Sequence, residues 1–456
     1  MDQSTFQDFQ PLKNIHMIML AIVVGIMSGI GAILFRMLLD SIIKICFFDN
    51  GHIFYDSTQH LPLFNYKILI ILVPVIGACI VTFLTTRFAL EAKGHGVPEA
   101  LYAIHYKQGK ISPAVALIKV LASAVTIGTG GSAGREGPII QIGASLGSTL
   151  GQLISMPNQQ RIILVAAGAG AGIAATFGAP VTGLIFAIEL MLVSVDMMSV
   201  SVVAIAVVSA TFVSYYAFGT IPEFTSPIIM SNVSYQQYLI ILISLIPFSF
   251  LVGIASFAFI RLMYFMEISF LNIFDNPYIR HMMGMAFVGI ILYVFANYFG
   301  HYYVEGIGYS TINDIFQFLL TNPWLLLLLC LFKILATCLT LGSGGSGGIF
   351  SPSLFIGATL GAAYGIMMNY LLPGYELNPL IFVTAGMAGI VGGSTGLIVT
   401  AILLTFEITR DYTNILPIIM TVAISCVIRM KLCNETIFTL RLHKQGFFVS
   451  DILVRK

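Results

Sequence analysis

The chain has 456 residues, 58% of them hydrophobic, and only 9% are Asp, Glu, Lys or Arg, against about 25% in a soluble domain. With 21 basic residues, 20 acidic ones and a mean hydropathy of +0.95, a soluble fold of this size could not cover its apolar surface. These figures exclude a soluble enzyme, a nucleic-acid binder and a disordered chain. They leave an all-α polytopic membrane protein, because the apolar runs are continuous rather than alternating as in a β-barrel.

The first residues, MDQSTFQDFQ, carry no basic stretch and no cleavage site, so 1–14 reads as a cytoplasmic segment and not a signal peptide. The first apolar run, 15–47, exceeds the ~20 residues that cross a bilayer and is expected to tilt. Further spans are expected at 67–87, 197–219, 234–264, 282–299, 323–341 and 413–430. Between them lie shorter glycine-rich segments at 113–127, 137–154, 160–176, 178–194, 350–370, 376–391 and 395–408. Broken helices of this kind survive at membrane depth only inside protein or beside a polar cavity, and in transporters they mark the binding site. Arg87, Lys93, Lys107 and Lys110, and in the tail Arg441, Lys444, Arg455 and Lys456, place both regions in the cytoplasm. Tail residues 443–456 are too few for a soluble C-terminal domain. The six cysteines form no CxxC pair and read as small buried hydrophobes, with no metal site.

Sliding the chain against itself by 214 residues brings Lys119 onto Lys333, Gly130-Gly131-Ser132 onto Gly344-Gly345-Ser346, and Pro138 onto Pro352. At an offset of 218, Ala167-Gly168 meets Ala385-Gly386 and Glu189 meets Glu407. Matching Lys, Pro and Glu go beyond shared glycine content. The chain therefore has two related halves, 15–219 and 234–442, joined by a loop at 220–233. The repeat alone leaves parallel and inverted arrangements open.

Two glycine loops correspond in the repeat, GTGGSAGREGP at 128–138 and GSGGSGGIFSP at 342–352. Each leads into a helix with proline near its start. Glycine lets backbone N–H groups converge, and a helix N-terminus carries free donors and partial positive charge. Two such ends aimed at one point bind a small dehydrated anion without a lysine. GHGVPE at 94–99 is a third loop of this type. No GK[ST] follows these glycines, which excludes a P-loop. Glu136 stands inside the first loop, where its own carboxylate can occupy the anion site and leave on protonation. It is the candidate gate and proton carrier. An intramembrane hydrolase using Ser132 or Ser346 is the remote alternative, disfavoured because the histidines lie mostly at segment ends or in loops.

GREGP at 134–138, GSGGIFSPSL at 345–354 and GHGVPE at 94–99 resemble the three signature loops of the CLC family of chloride channels and chloride/proton antiporters. GAPVTGLIFAIELM at 178–191 and TGLIVTAILLTFEIT at 395–409 resemble the same family, and the likeness runs from about 15 to 445. It implies an inverted-repeat fold of broken and tilted helices, one anion pathway per subunit, a homodimer in the bilayer, and chloride as the bound substrate ion with no cofactor. The prokaryotic type, without C-terminal nucleotide-binding domains, and a bacterial inner membrane fit the short tail.

Residue by residue, the resemblance makes Glu136 the gating and proton-transfer glutamate. It makes Gly134, Arg135, Gly137, Gly348, Ile349, Phe350, His95 and Phe438 the anion-binding positions. The Arg135 side chain, expected on a backbone carbonyl or on lipid, is given no transport role. Three departures stand out. His95 replaces the usual serine of the first loop, Phe438 replaces a tyrosine, and Leu190 occupies the place of the internal proton glutamate. Glu189 and its repeat partner Glu407 read as structural. The missing inner glutamate favours a passive or weakly proton-coupled anion pathway, with a coupled chloride/proton antiporter as the alternative. A fluoride exporter would carry a different gate motif from GREGP.

Overall fold

The computed structural model describes residues 12–47, 60, 67–220, 224 and 235–448. The boundary regions 1–11 and 449–456, and most of the expected connecting loop 220–233, lie outside the described residues.

The first half comprises α1 (Asn14–Phe47), α2 (Leu72–Phe88), α3 (Val97–Tyr106), α4 (Pro113–Gly128), α5 (Glu136–Leu153), α6 (Asn158–Phe177), α7 (Pro180–Phe186) and α8 (Met197–Phe218). The second comprises α9 (Tyr235–Ile273), α10 (Pro277–Tyr298), α11 (Tyr309–Phe316), α12 (Pro323–Ser343), α13 (Phe350–Leu371), α14 (Pro379–Thr395), α15 (Ile398–Thr409), α16 (Ile415–Leu432) and α17 (Thr439–Lys444). Among the described residues, nine helical stretches are long and apolar enough to cross a membrane. The shorter helices α4, α7, α14 and α15 are the broken segments.

Local sequence sets these boundaries. Asp196 caps α8 by accepting from the Met198 and Ser199 amides, and Asn276, Asn322 and Asn378 do the same for α10, α12 and α14. Each of those three asparagines is followed by a proline at the first helical position, where a missing N–H costs nothing. Glycine allows close contact between helices in the membrane, where small residues let backbones meet. A Cβ at Gly143 would fall on the Gly168 carbonyl, and one at Gly357 on that of Gly386. The same contact thus joins α5 to α6 and α13 to α14.

The halves are related by an inverted repeat, reflected in two reciprocal contacts and one pair of equivalent ones. Gly134 N donates to Gly348 O at 2.8 Å and Gly348 N donates to Gly134 O at 2.7 Å, an antiparallel exchange between equivalent residues. Glu189 accepts from the Val399 and Thr400 amides at 3.2 and 2.9 Å, while Glu407 accepts from those of Val181 and Thr182 at 3.0 and 2.7 Å. Each glutamate therefore caps the short helix of the opposite half, α15 or α7, which bears out the structural reading. Lys119 Nζ donates to Ala92 O and Gly94 O at 3.1 and 2.8 Å, and Lys333 Nζ to Val304 O and Gly306 O at 3.1 and 2.9 Å. These buried lysines tie down the loops that precede α3 and α11.

The C-terminal segment returns to the basic loop region, on the face expected to be cytoplasmic. Phe447 packs edge-on against Tyr102 and Tyr106 at 4.7 and 5.1 Å, and Arg441 bridges Glu99 and Glu267 at 3.4 and 3.1 Å.

Candidate anion site and gate

The Gly134–Gly348 exchange brings the two glycine loops together, and α5 and α13 start beside it. Glu136, the first residue of α5, is fully buried. Its carboxylate lies against α13 of the other half. Oε2 accepts from the Ser351 amide at 3.3 Å. Oε1 accepts from the Tyr309 hydroxyl at 3.1 Å and from the Ser351 hydroxyl. A carboxylate thus sits on a first-turn N–H donor that has no acceptor within its own helix. Ile349 and Phe350, the two residues before Ser351, begin the same turn.

Glycine is required where the carboxylate lies. A Cβ on Gly134 would fall on Glu136 Oε2 and 3.2 Å from Ser351 N. On Gly137 it would strike the His95 carbonyl and come within 2.8 Å of Gly348 Cα. Gly134, Glu136, Gly137, Gly348 and His95 are therefore brought together.

Phe350 lies 6.1 Å from Phe438 and 6.2 Å from Phe186, centroid to centroid. Phe350, the first residue of α13, thus packs against both other rings. The hydroxyl that a tyrosine at 438 would supply is absent. Phe438→Tyr should tighten chloride binding about tenfold, the value of one hydrogen bond to an ion, as read by titration calorimetry. Unchanged affinity would mean that this ring lies off the anion pathway.

His95 is 6% exposed, and its Nδ1 has no hydrogen-bond partner among the described residues. A buried nitrogen left unpaired is costly, so this atom is available to a ligand. Around the inner mouth, burial pushes the Lys93 ammonium down to about 8, with Arg280 and Arg441 acting the same way and Glu267 opposing.

Two further positions are placed by the structure. The Arg135 side chain is buried rather than lipid-facing, with its guanidinium 5.4 Å from the centre of the Tyr309 ring. Leu190 lies on a π turn, Ala187–Met191, that continues α7, and it is partly buried with no ionisable group of its own. Ser132 shares its hydroxyl with Thr337 at 3.1 Å, and Ser346 bonds the Ala92 carbonyl at 2.7 Å. Among the described residues neither is paired with a histidine, as a nucleophile would need.

Two residues at the gate were not anticipated from the sequence, Ser351 and Tyr309. Ser351 lies in the GIFSP motif itself. Tyr309 was detectable by carrying the 214-residue offset back beyond Lys119, which places it on His95.

Comparison with known proteins agrees with this geometry. The model of the voltage gated chloride channel family matches residues 77–429. The H(+)/Cl(-) exchange transporter ClcA of Vibrio parahaemolyticus is 29% identical over 389 residues, 82% of this chain and 79% of that protein. ClcA of Vibrio cholerae is 30% identical over 379 residues, 79% of this chain and 76% of that protein. Among solved structures, a slow cyanobacterial Cl-/H+ antiporter superposes with a TM-score of 0.77 at 24% identity, covering 94% of this chain and 97% of that one, a likeness of fold. With a family model spanning most of the chain and the glycine loops paired as described, this integral multi-pass membrane protein belongs to the voltage-gated chloride channel (CLC) family of anion transporters.

Proposed function

We propose that the chain is a chloride/proton antiporter, in preference to the passive or weakly coupled pathway that Leu190 led us to expect. The observation that carries this reading is the Glu136 carboxylate seated on the Ser351 amide of α13. A group that takes the place of an anion and is released by protonation links anion movement to proton movement at one site. The relatives named H(+)/Cl(-) exchange transporters support it.

In this reading chloride enters from the cytoplasmic side past His95 and the Phe438 ring, and pauses at the Ile349 and Phe350 amides. It then competes with Glu136 for the start of α13. Protonation of the displaced carboxylate carries a proton the opposite way. Leu190 cannot hold a proton, so the inner leg of the proton route runs through water or through another group. The reading includes a homodimer with one pathway per subunit and, as with the bacterial relatives, an inner-membrane location.

The test uses purified protein in liposomes loaded with chloride and diluted into low-chloride buffer, with a pH electrode outside. Chloride efflux should drive protons inward against their gradient. Chloride movement with no proton movement would return the protein to the uncoupled reading, and Leu190 would explain it.

A further inference from the structure

We propose that Tyr309 and Ser351 form a latch that holds Glu136 in its seated position and sets how readily the gate yields to chloride. The inference rests on the gating reading of Glu136 and adds the regulation of that site. Three oxygens meet in a triangle. Tyr309 Oη lies 3.1 Å from Glu136 Oε1, Ser351 Oγ lies 3.1 Å from Tyr309 Oη, and Ser351 Oγ also donates to Oε1. Two hydroxyl protons are present, and both can point at the carboxylate. An ionised carboxylate accepts both, and bonds to an ionised acceptor are roughly twice as strong as neutral ones. A carboxyl that gains a proton keeps only the weaker neutral bonds. The latch thus grips the charged gate and eases when the gate is protonated, which is the sequence an exchange cycle needs.

The tyrosine is held in place for this task. It is 1% exposed, and Phe224 meets its ring edge-on at 5.0 Å. The Arg135 guanidinium stands over the same ring. The repeat shows how the position arose. Gly94 and Gly308 both have positive φ, 86° and 83°, and the next residue in each half is a polar ring, His95 or Tyr309. Both loops are anchored by the equivalent lysines. The inverted repeat therefore presents one polar ring at the inner mouth and one at the gate. The gate ring bonds Glu136 through its hydroxyl, whereas His95 Nδ1 has no hydrogen-bond partner among the described residues.

Tyr309→Phe removes one hydroxyl and keeps the ring, and Ser351→Ala removes the other. Each should raise chloride flux through proteoliposomes at pH 7.5 by about tenfold, the value of a hydrogen bond to a charged group, and flatten the dependence on pH. In a Glu136→Ala background, Tyr309→Phe should change nothing, because the latch has nothing to hold. If Glu136→Ala raises flux but neither hydroxyl variant does, the latch is wrong and the gate reading stands. If Tyr309→Phe acts equally with and without Glu136, its role is structural and the latch is overturned. If Glu136→Ala itself leaves flux and its pH response unchanged, the gate reading fails and the latch fails with it.

Discussion

Glu136→Gln should keep chloride flux, erase its dependence on pH and abolish proton counter-movement. In the proposed exchange the carboxylate competes with chloride because it is an anion on the Ser351 amide of α13. An amide of the same shape has no charge to compete with and cannot take up a proton. Chloride should then occupy the vacated donors at every pH. The size of the effect follows from the site, since Glu136 is fully buried and accepts from one amide and two hydroxyls. Flux assays across a series of pH values read both consequences. A variant with the wild-type pH response would remove Glu136 from the gate.

Lys333→Met should destabilise the fold itself. The ammonium is buried, bonds the carbonyls of Val304 and Gly306, and rests 4.9 Å from the Phe355 ring centre. Methionine fills a similar volume but donates nothing. The Val304 carbonyl would lose its partner at about 1–3 kcal/mol, while the Gly306 carbonyl would keep the Ala133 amide at 3.2 Å. A loss of about 1–3 kcal/mol is a large part of the stability that proteins possess. The loop affected leads directly into Tyr309, so the gate would loosen along with the fold. Size-exclusion profiles and thermal unfolding in detergent should show aggregation or a sharply lowered transition. A monodisperse variant of wild-type stability would mean that water or a rearranged loop satisfies that carbonyl.

Most of the fold was legible because hydropathy acts locally. The expected span 323–341 is observed as Pro323–Ser343, and 395–408 as Ile398–Thr409. Where expectation fell short, a polar residue had interrupted the apolar run. The span expected to end at 264 runs on to Ile273, with Glu267 in the added turns paired with Arg441. The span expected from 282 begins at Pro277, since Arg280 and His281 are buried in the helix rather than excluded from it. Helix α11 has eight residues, too few to register as a span. The glycine loops, the gate and the repeat could be read because they are contiguous motifs or fixed offsets. The latch could not be read in the same way. Tyr309 and Ser351 lie 173 and 215 residues from Glu136, and only the folded inverted repeat brings them together. The sequence also pointed from Leu190 toward weak coupling. That inference weighed one missing acid, whereas the seated Glu136 and the exchangers among the relatives weigh the other way.

The central claim is that the Glu136 carboxylate holds the place of an anion at the start of α13. Bromide is an anomalous scatterer that reports directly on that place in crystals. Wild-type crystals grown in bromide should show no anomalous peak at the Ser351 amide while Glu136 is seated there, and Glu136→Gln crystals should show one. A peak at that amide in the wild type with the carboxylate unmoved, or none in the variant, would contradict the account.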